Sequence, residues 1–215
     1  MAVLHHAFRC PVTPEFHRDV TVLLGAWKAE DRAKLSALAV PANRRLANRE
    51  DLHSAFMLHP DGSAASWMKP DFVSAGLAVL SLLAHRFTAI TSLSASGGTN
   101  HYLLETQLPL LGWSPAEIGL LVRGKSIESM LMTYADASGP IEQGGFRHTG
   151  GWTEGVIAQM LKPRIDRMIQ GPSSGADPEA LAALGLLNDS GALRDAQAML
   201  ASISDNDWLV MSITH

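Results

Sequence analysis

Apolar residues recur at helical spacing along much of the chain. The first stripe consists of Phe16, Val20, Leu23, Leu24 and Trp27, and a second consists of Val156, Met160, Leu161, Ile165, Met168 and Ile169. Two shorter stripes follow, one with Leu181, Leu184 and Leu187 and one with Leu193, Ala196, Leu200 and Ile203. A spacing of three or four residues is typical of amphipathic helices whose apolar faces point inward.

Helix-start signals accompany these stripes. Thr13-Pro14-Glu15, Ser114-Pro115-Ala116-Glu117 and Asp177-Pro178-Glu179 each place a capping side chain before a proline and an early acid, an order favoured at helix N-termini. The Ser114 capping box predicts a helix that runs through Val122 and that Gly124 ends. Pro163 lies inside a stripe, so we expect it to kink or split that helix.

The most apolar window, from Phe72 to Leu93, predicts a central buried helix. Its apolar run before His85 and Arg86 extends from Ala75 to Ala84, which is shorter than the roughly 20 residues that a membrane span needs. We therefore expect a soluble protein that does not insert into a membrane.

The segment Trp208–Thr214 differs from the rest of the sequence, because it is short, apolar and partly β-branched. This composition indicates a strand, but no partner strand is evident elsewhere and a lone strand is not stable. We expect it to pack as an extended tail, and the alternative is that it adds to a strand of another chain. The sequence thus predicts an all-α fold, with about eight to ten short helices around the central apolar helix and room for a short C-terminal strand. It predicts one helical domain over residues 1–215, with a flexible break at 171–176.

The cysteine count and the distribution of charge indicate the cellular compartment and the kind of partner. Cys10 is the single cysteine, so no internal disulfide forms and we expect a cytoplasmic location. Residues 1–100 contain 10 Lys or Arg and 8 Asp or Glu, whereas residues 101–215 contain 7 and 13. A basic footprint for nucleic acid is absent, and the acidic second half favours a protein partner with a basic surface.

Most motifs with specific chemistry are missing from the sequence. Its nine histidines form neither a His-Glu-x-x-His pattern nor a Cys/His ligand pair, so we expect no metal and no cofactor. Residues Gly119–Ser126 read G-L-L-V-R-G-K-S, which matches the letters of a phosphate-binding loop. That loop requires a strand before it and a helix after it, whereas here a predicted helix fills it, so we expect no nucleotide site.

Two glycine-containing stretches are candidates for a ligand site. One is E-Q-G-G-F-R-H-T-G-G-W, from Glu142 to Trp152, and the other is Gly97-Gly98-Thr99-Asn100-His101. Glycine allows a backbone to approach a ligand closely, Arg can bind an anion, and His can transfer a proton. The predicted catalytic residues are His101, Glu105 and His148. The predicted ligand-binding residues are Arg147, Gly144, Gly145, Gly98 and Trp152.

Two functional hypotheses follow. The favoured one is a cytoplasmic protein-interaction module, such as an antitoxin, an immunity-type protein or a regulatory adaptor. Trp67 and Trp113 lie near turns, where we expect them to be exposed, and tryptophan is enriched at protein interfaces. The alternative is a small helical enzyme that acts on an anionic metabolite through the loops 97–101 and 144–151. A third interpretation gives the glycine pairs no functional role: they allow the chain to turn sharply between helices.

Overall fold

An antiparallel sheet joins segments that are far apart in the sequence. The computed structural model describes residues 4–29, 31, 33–34, 37, 49–52, 86–126, 151–171 and 177–214. The strands in this part are β1 (Leu4–Pro11), β2 (Thr88–Ala89), β3 (Lys125–Ser126), β4 (Gly151–Glu154) and β5 (Asp207–Thr214). They form one sheet in the order β2-β1-β5-β4-β3, and all neighbouring strands are antiparallel.

Helices surround this sheet. They are α1 (Pro14–Lys28), α2 (Asn100–Gln107), a 3-10 helix (Leu108–Leu111), α3 (Pro115–Val122), α4 (Gly155–Ile169), α5 (Pro178–Asp189) and α6 (Ala192–Ala201). The prediction of an all-α fold is therefore wrong, because the chain combines helices with a sheet. The predicted starts of α1, α3 and α5 are confirmed. Among the described helices, none combines the length and apolar character that crossing a membrane requires.

The segment Trp208–Thr214 has a partner strand, contrary to the prediction of an unpaired tail. All eight residues of β1 pair with β5, from Leu4 opposite Thr214 to Pro11 opposite Asp207. On its other side β5 pairs with β4. Strand β5 therefore lies at the centre of the sheet, where both of its edges are hydrogen-bonded.

Side chains on both faces of the sheet are buried. One face carries Ala7, Leu209 and Met211, which join the helical core formed by Leu93, Leu104, Leu108, Leu121, Ala158, Leu161, Ile165, Leu187, Ala196 and Leu200. The other face carries an aromatic cluster. The centroid of the Trp208 ring lies 4.8 Å from that of Phe16 of α1 and 4.2 Å from that of Trp152. Phe8 and Phe87 extend this cluster, with ring centroids 6.1 Å apart.

The predicted central helix is not observed in the part of it that the structure describes. Residues 72–85 lie outside the described residues, and residues 86–93 contain β2 and irregular backbone. The proposed break at 171–176 also falls outside them, except for Gly171.

Helix α4 continues through Pro163, so of the two predicted outcomes, a kink or a split, the split is wrong and the kink stays a prediction. Packing against α6 offsets the cost of about 3 kcal/mol for an interior proline. Ala158, Leu161 and Ile165 are buried in the shared core. The Gln159 side chain also donates to the carbonyls of Leu200, at 3.1 Å, and of Ile203.

Candidate functional site

Two buried histidines meet where β1 approaches α2. The rings of His5, in β1, and His101, in the first turn of α2, have centroids 6.1 Å apart. Ser94 lies beside both residues, because its Oγ accepts the backbone N–H of His5 at 3.0 Å and lies 3.4 Å from Nδ1 of His101. The structure thus places the predicted residue His101 in a buried polar cluster.

The hydrogen bonds of His5 determine its tautomer. Nε2 lies 2.9 Å from the Val122 carbonyl, and Nδ1 lies 3.3 Å from the backbone nitrogen of Leu93. A carbonyl only accepts and an amide only donates, so the ring is neutral with its proton on Nε2. Burial lowers the pKa of His5 from 6.5 to about 3. The bond to the Val122 carbonyl raises this pKa, and the nearby His101 and His6 lower it further. This histidine links β1 to the segment before α2 and to the end of α3.

Glu105 lies one turn after His101 in α2, but its contact is with Arg123. The guanidinium donates through Nε to Oε1 at 2.5 Å and through Nη2 to Oε2 at 3.0 Å. This bidentate pair joins α2 to the residue that follows α3, and it raises the pKa of Arg123. The catalytic roles of His101 and Glu105 stay predictions.

The first glycine pair lies in a turn that is fastened to α6. Gly98 is exposed, and the turn around it is held by the buried carboxylate of Asp195. Asp195 accepts the backbone N–H of Ser96 at 2.9 Å, the Ser96 hydroxyl at 2.6 Å and the Asn100 amide at 3.1 Å. This contact was not predicted, although Asp195 interrupts an apolar stripe two residues after Leu193 and directly before Ala196.

The second glycine stretch is described only at its end. Gly144, Gly145, Arg147 and His148 lie outside the described residues, so their distance from His101 stays untested. Gly151 begins β4, where a Cβ atom would lie 1.8 Å from the Arg123 carbonyl oxygen. Glycine at this position is therefore required by close backbone packing.

Trp152 lies on the other side of the sheet from His101. It is fully buried, and it pairs in register with Val210, which pairs with Phe8. Because side chains alternate along a strand, Phe8 and His5 point to opposite faces. The structure does not bring Trp152 and His101 together, and the ligand-binding role of Trp152 stays a prediction.

The segment that matches a phosphate-binding loop has a different geometry from that motif. Gly119 lies within α3, and Lys125 and Ser126 form β3, so a helix precedes a strand. Lys125 binds both carboxylate oxygens of Glu154, at 2.8 and 2.9 Å. The strand–loop–helix order that cradles a phosphate is not formed here.

An open groove of about 370 Å³ lies beside the outer edge of β1. Its lining residues are His6, Ala7, Phe8, Glu50, Asp51, Ala89, Ile90 and Ser92, and none of them was predicted as a site residue. Arg49 donates to both oxygens of Asp51 at 2.8 and 2.7 Å. No group of three or more His, Cys, Asp or Glu suited to a metal ion is found within the described residues.

Exposed apolar side chains lie on the outer faces of two helices. Leu181 and Leu186 of α5 are 42% and 53% exposed, and Val156 and Met160 of α4 are 54% and 71% exposed. The prediction that Leu181 points inward is therefore wrong. The exposure expected for Trp113 is also wrong, since it is buried beneath the Arg164 guanidinium, which lies 4.3 Å from the ring centroid. Trp67 lies outside the described residues.

Comparisons with known proteins give no family for this chain. No family model, no curated protein and no solved structure matches it. A proposal for its function therefore depends on the contacts, burial and charges of its own residues.

Proposed function

We propose that this protein is an interaction module, of the antitoxin, immunity-protein or regulatory-adaptor kind, and that it acts in the cytoplasm. Its binding surface is the outward face of α5, formed by Leu181, Ala182, Gly185 and Leu186. The observation that carries the proposal is the exposure of both leucines, 42% and 53%, on a helix framed by carboxylates.

Leu181 and Leu186 are not part of the core that packs α5 against the rest of the protein. The opposite side of the helix packs Leu184 and Leu187 into the helical core, against the 3-10 helix and α2. Covering an exposed leucine contributes about 1.5–3 kcal/mol when the burial is complete. A partner that covers Leu181 and Leu186 would therefore gain an apolar anchor for binding.

The charges around this face indicate the chemistry of the partner. Asp177, Glu179 and Asp189 are exposed at the two ends of α5. Residues 177–189 contain no Lys or Arg. An apolar centre with an acidic rim suits a protein surface that presents an apolar side chain surrounded by Lys and Arg.

The outward face of α4 is the competing surface. Met160 is the most exposed of its apolar residues, but Lys162, Arg164 and Arg167 follow it in the same helix. A basic flank suits an acidic partner, whereas the second half of the chain is itself acidic. The face of α5 therefore fits the expected basic partner better, and α4 supplies a matched control.

The contacts of His101 and Glu105 support the interaction module over the enzyme. His101 is buried beside His5, and Glu105 is ion-paired with Arg123. Both residues thus hold β1, α2 and α3 together. This gives them a role in the fold without a substrate.

Photo-crosslinking can test the proposed surface. A benzoylphenylalanine at position 186 should crosslink to one defined protein in cells that make this chain, and one at position 160 should not. With the identified partner purified, Leu186→Asp should weaken binding at least tenfold, because a central apolar anchor would be replaced by a charge. Met160→Asp, an equivalent change on α4, should leave the affinity within about twofold.

Salt dependence provides the second measurement. Affinity should fall as ionic strength rises, since the acidic rim is exposed to solvent, and Glu179→Lys should slow association. Equal affinities of the Leu186→Asp variant and the wild type, or loss of binding in Met160→Asp alone, would show that α5 is not the binding surface.

A further inference from the structure

Hydrogen bonds to β1 and the buried Leu93 side chain hold the segment from Ile90 to Ser94 in place, and His5 takes part in two of those bonds. Nδ1 of His5 accepts the Leu93 N–H at 3.3 Å, and Ser94 Oγ accepts the His5 N–H at 3.0 Å. One backbone bond, from the Ile90 N–H to the Ala7 carbonyl at 3.0 Å, accompanies them. Ile90 and Ser92 of the same segment form a wall of the 370 Å³ groove.

A proton added to His5 cannot be accommodated in this arrangement. Nε2 already carries a proton toward the Val122 carbonyl, so a second proton would go to Nδ1. Nδ1–H would then face the Leu93 N–H, and two donors cannot form a hydrogen bond with each other. The charged ring would also be almost fully buried, which is costly unless it is paired.

The hydrogen bond between His101 and Ser94 has no fixed direction. Its Nδ1 faces a hydroxyl, Ser94 Oγ, and a hydroxyl can either donate or accept. With ring centroids 6.1 Å apart, a charge on His101 opposes a second charge on His5. Protonation of the His5 ring therefore removes its bond to the Leu93 N–H, whereas the bond between Ser94 and His101 can reverse its direction.

We propose that His5 is an acid-sensitive latch: it holds residues 90–94 against β1 while neutral, and protonation of its Nδ1 releases this segment together with the groove wall. Among the described residues, the ionisable groups that act on the His5 ring are His101 of α2 and His6 of β1. Glu105, also on α2, is ion-paired with Arg123, which follows α3. Residues 90–99 contain no titratable side chain, and Asp195 of α6 fixes the far end of the segment through Ser96.

The size and direction of the effect follow from linkage. The pKa of His5 is about 3 in the latched state, against 6.5 for an ordinary histidine. Release is therefore unfavourable above pH 6.5 and is promoted as the pH falls through the interval from 6.5 to 3. The opening equilibrium constant should rise about tenfold per pH unit in this interval, and about 100-fold between pH 8 and pH 4.5.

Amide hydrogen exchange of the full chain, corrected for intrinsic rates at each pH, tests the latch. The protection of the Leu93 and Ile90 amides should fall together by about 100-fold between pH 8 and pH 4.5, while amides of the β1–β5 ladder remain protected. His5→Gln should remove this pH dependence, because a glutamine side chain does not titrate. His17→Gln, the same change at an exposed histidine of α1, should retain it.

Three results of the exchange experiment would contradict the proposal. Constant Leu93 protection over this pH range, an identical fall in His5→Gln, or parallel loss of protection in the ladder would overturn the latch. If His5→Gln does not fold, the wild-type protein decides: nitrogen chemical shifts should show the Nε2–H tautomer of His5 at pH 8, and a ring that titrates near pH 6.5 in the latched state would overturn the proposal.

Discussion

Gly151 shows how one backbone position determines a strand pairing. A Cβ atom there would lie 1.8 Å from the Arg123 carbonyl oxygen, so Gly151→Ala must separate β4 from the residues before β3. We expect it to lower the free energy of unfolding by about 3 kcal/mol or more, measured by urea denaturation.

Gly119 provides the matched control for that change. It lies within α3 and has open space where a Cβ would be placed, so Gly119→Ala should stabilise the protein by about 0.5–1 kcal/mol. If Gly151→Ala had the same free energy of unfolding as the wild type, the backbones at Gly151 and Arg123 would not be packed this closely.

Individual residues were predicted with mixed success. His101 and Glu105 were named as candidates and lie in one helix, but their contacts are with His5 of β1 and with Arg123, which follows α3. Leu181 belongs to an apolar stripe and yet points outward, because Leu184 and Leu187 suffice to pack α5. Spacing identifies a helical face, whereas the partner of that face is set by tertiary contacts.

The start of α3 is a complete capping box. Ser114 Oγ accepts the Glu117 N–H at 3.3 Å, and the Glu117 carboxylate accepts the Ser114 N–H at 2.8 Å. Ser114→Ala should cost about 1 kcal/mol of stability at pH 7, measured by urea denaturation. Thr106→Ala removes an exposed hydroxyl that bonds within its own helix, and should change stability by less than about 0.5 kcal/mol.

The same variant has a consequence for pH dependence. The backbone and hydroxyl of Ser114, followed by Arg164, lower the pKa of Glu117 from 4.5 to about 2. A lowered carboxyl pKa adds stability above pH 4.5 that is lost as the pH falls toward 2. In Ser114→Ala the Glu117 pKa should rise while staying below 4.5, as carboxyl NMR titration can measure. An unchanged pKa would contradict the hydroxyl contribution.

Helices were easier to predict than strands for a physical reason. A helix start depends on neighbouring residues, and the signals at Thr13, Ser114 and Asp177 are each contained within four positions. Strand β1 buries side chains on both faces, with Ala7 toward the helical core and Phe8 toward the aromatic cluster. This removes the polar–apolar alternation by which a half-exposed strand is recognised. The partner of β5 also lies far away in the sequence, where no local pattern can indicate it.

The whole fold depends on the central strand. Trp208, Leu209, Val210 and Met211 of β5 are all buried, and each contributes about 1.5–3 kcal/mol, which together is comparable with the entire stability of a typical domain. A chain that ends at Ile203 should therefore be unfolded, and its amide proton chemical shifts should fall in a narrow range. Adding a peptide of residues 204–215 should restore the wide spread of amide shifts that a folded protein shows.

A peptide with Leu209→Asp and Met211→Asp is the control, and it should restore nothing, because both side chains enter the helical core. A dispersed spectrum and cooperative unfolding of the chain ending at Ile203 would show that the sheet does not need β5.

The pairing of β1 with β5 also affects how the protein is made. Strand β1 ends at Pro11 and β5 begins at Asp207, so β1 leaves the ribosome roughly 10–40 s before its central neighbour at ordinary translation rates. During this interval Phe8 and Cys10 lack the strand that later lies beside them. Nascent chains of this protein should therefore be clients of chaperones that shield apolar segments until synthesis reaches β5.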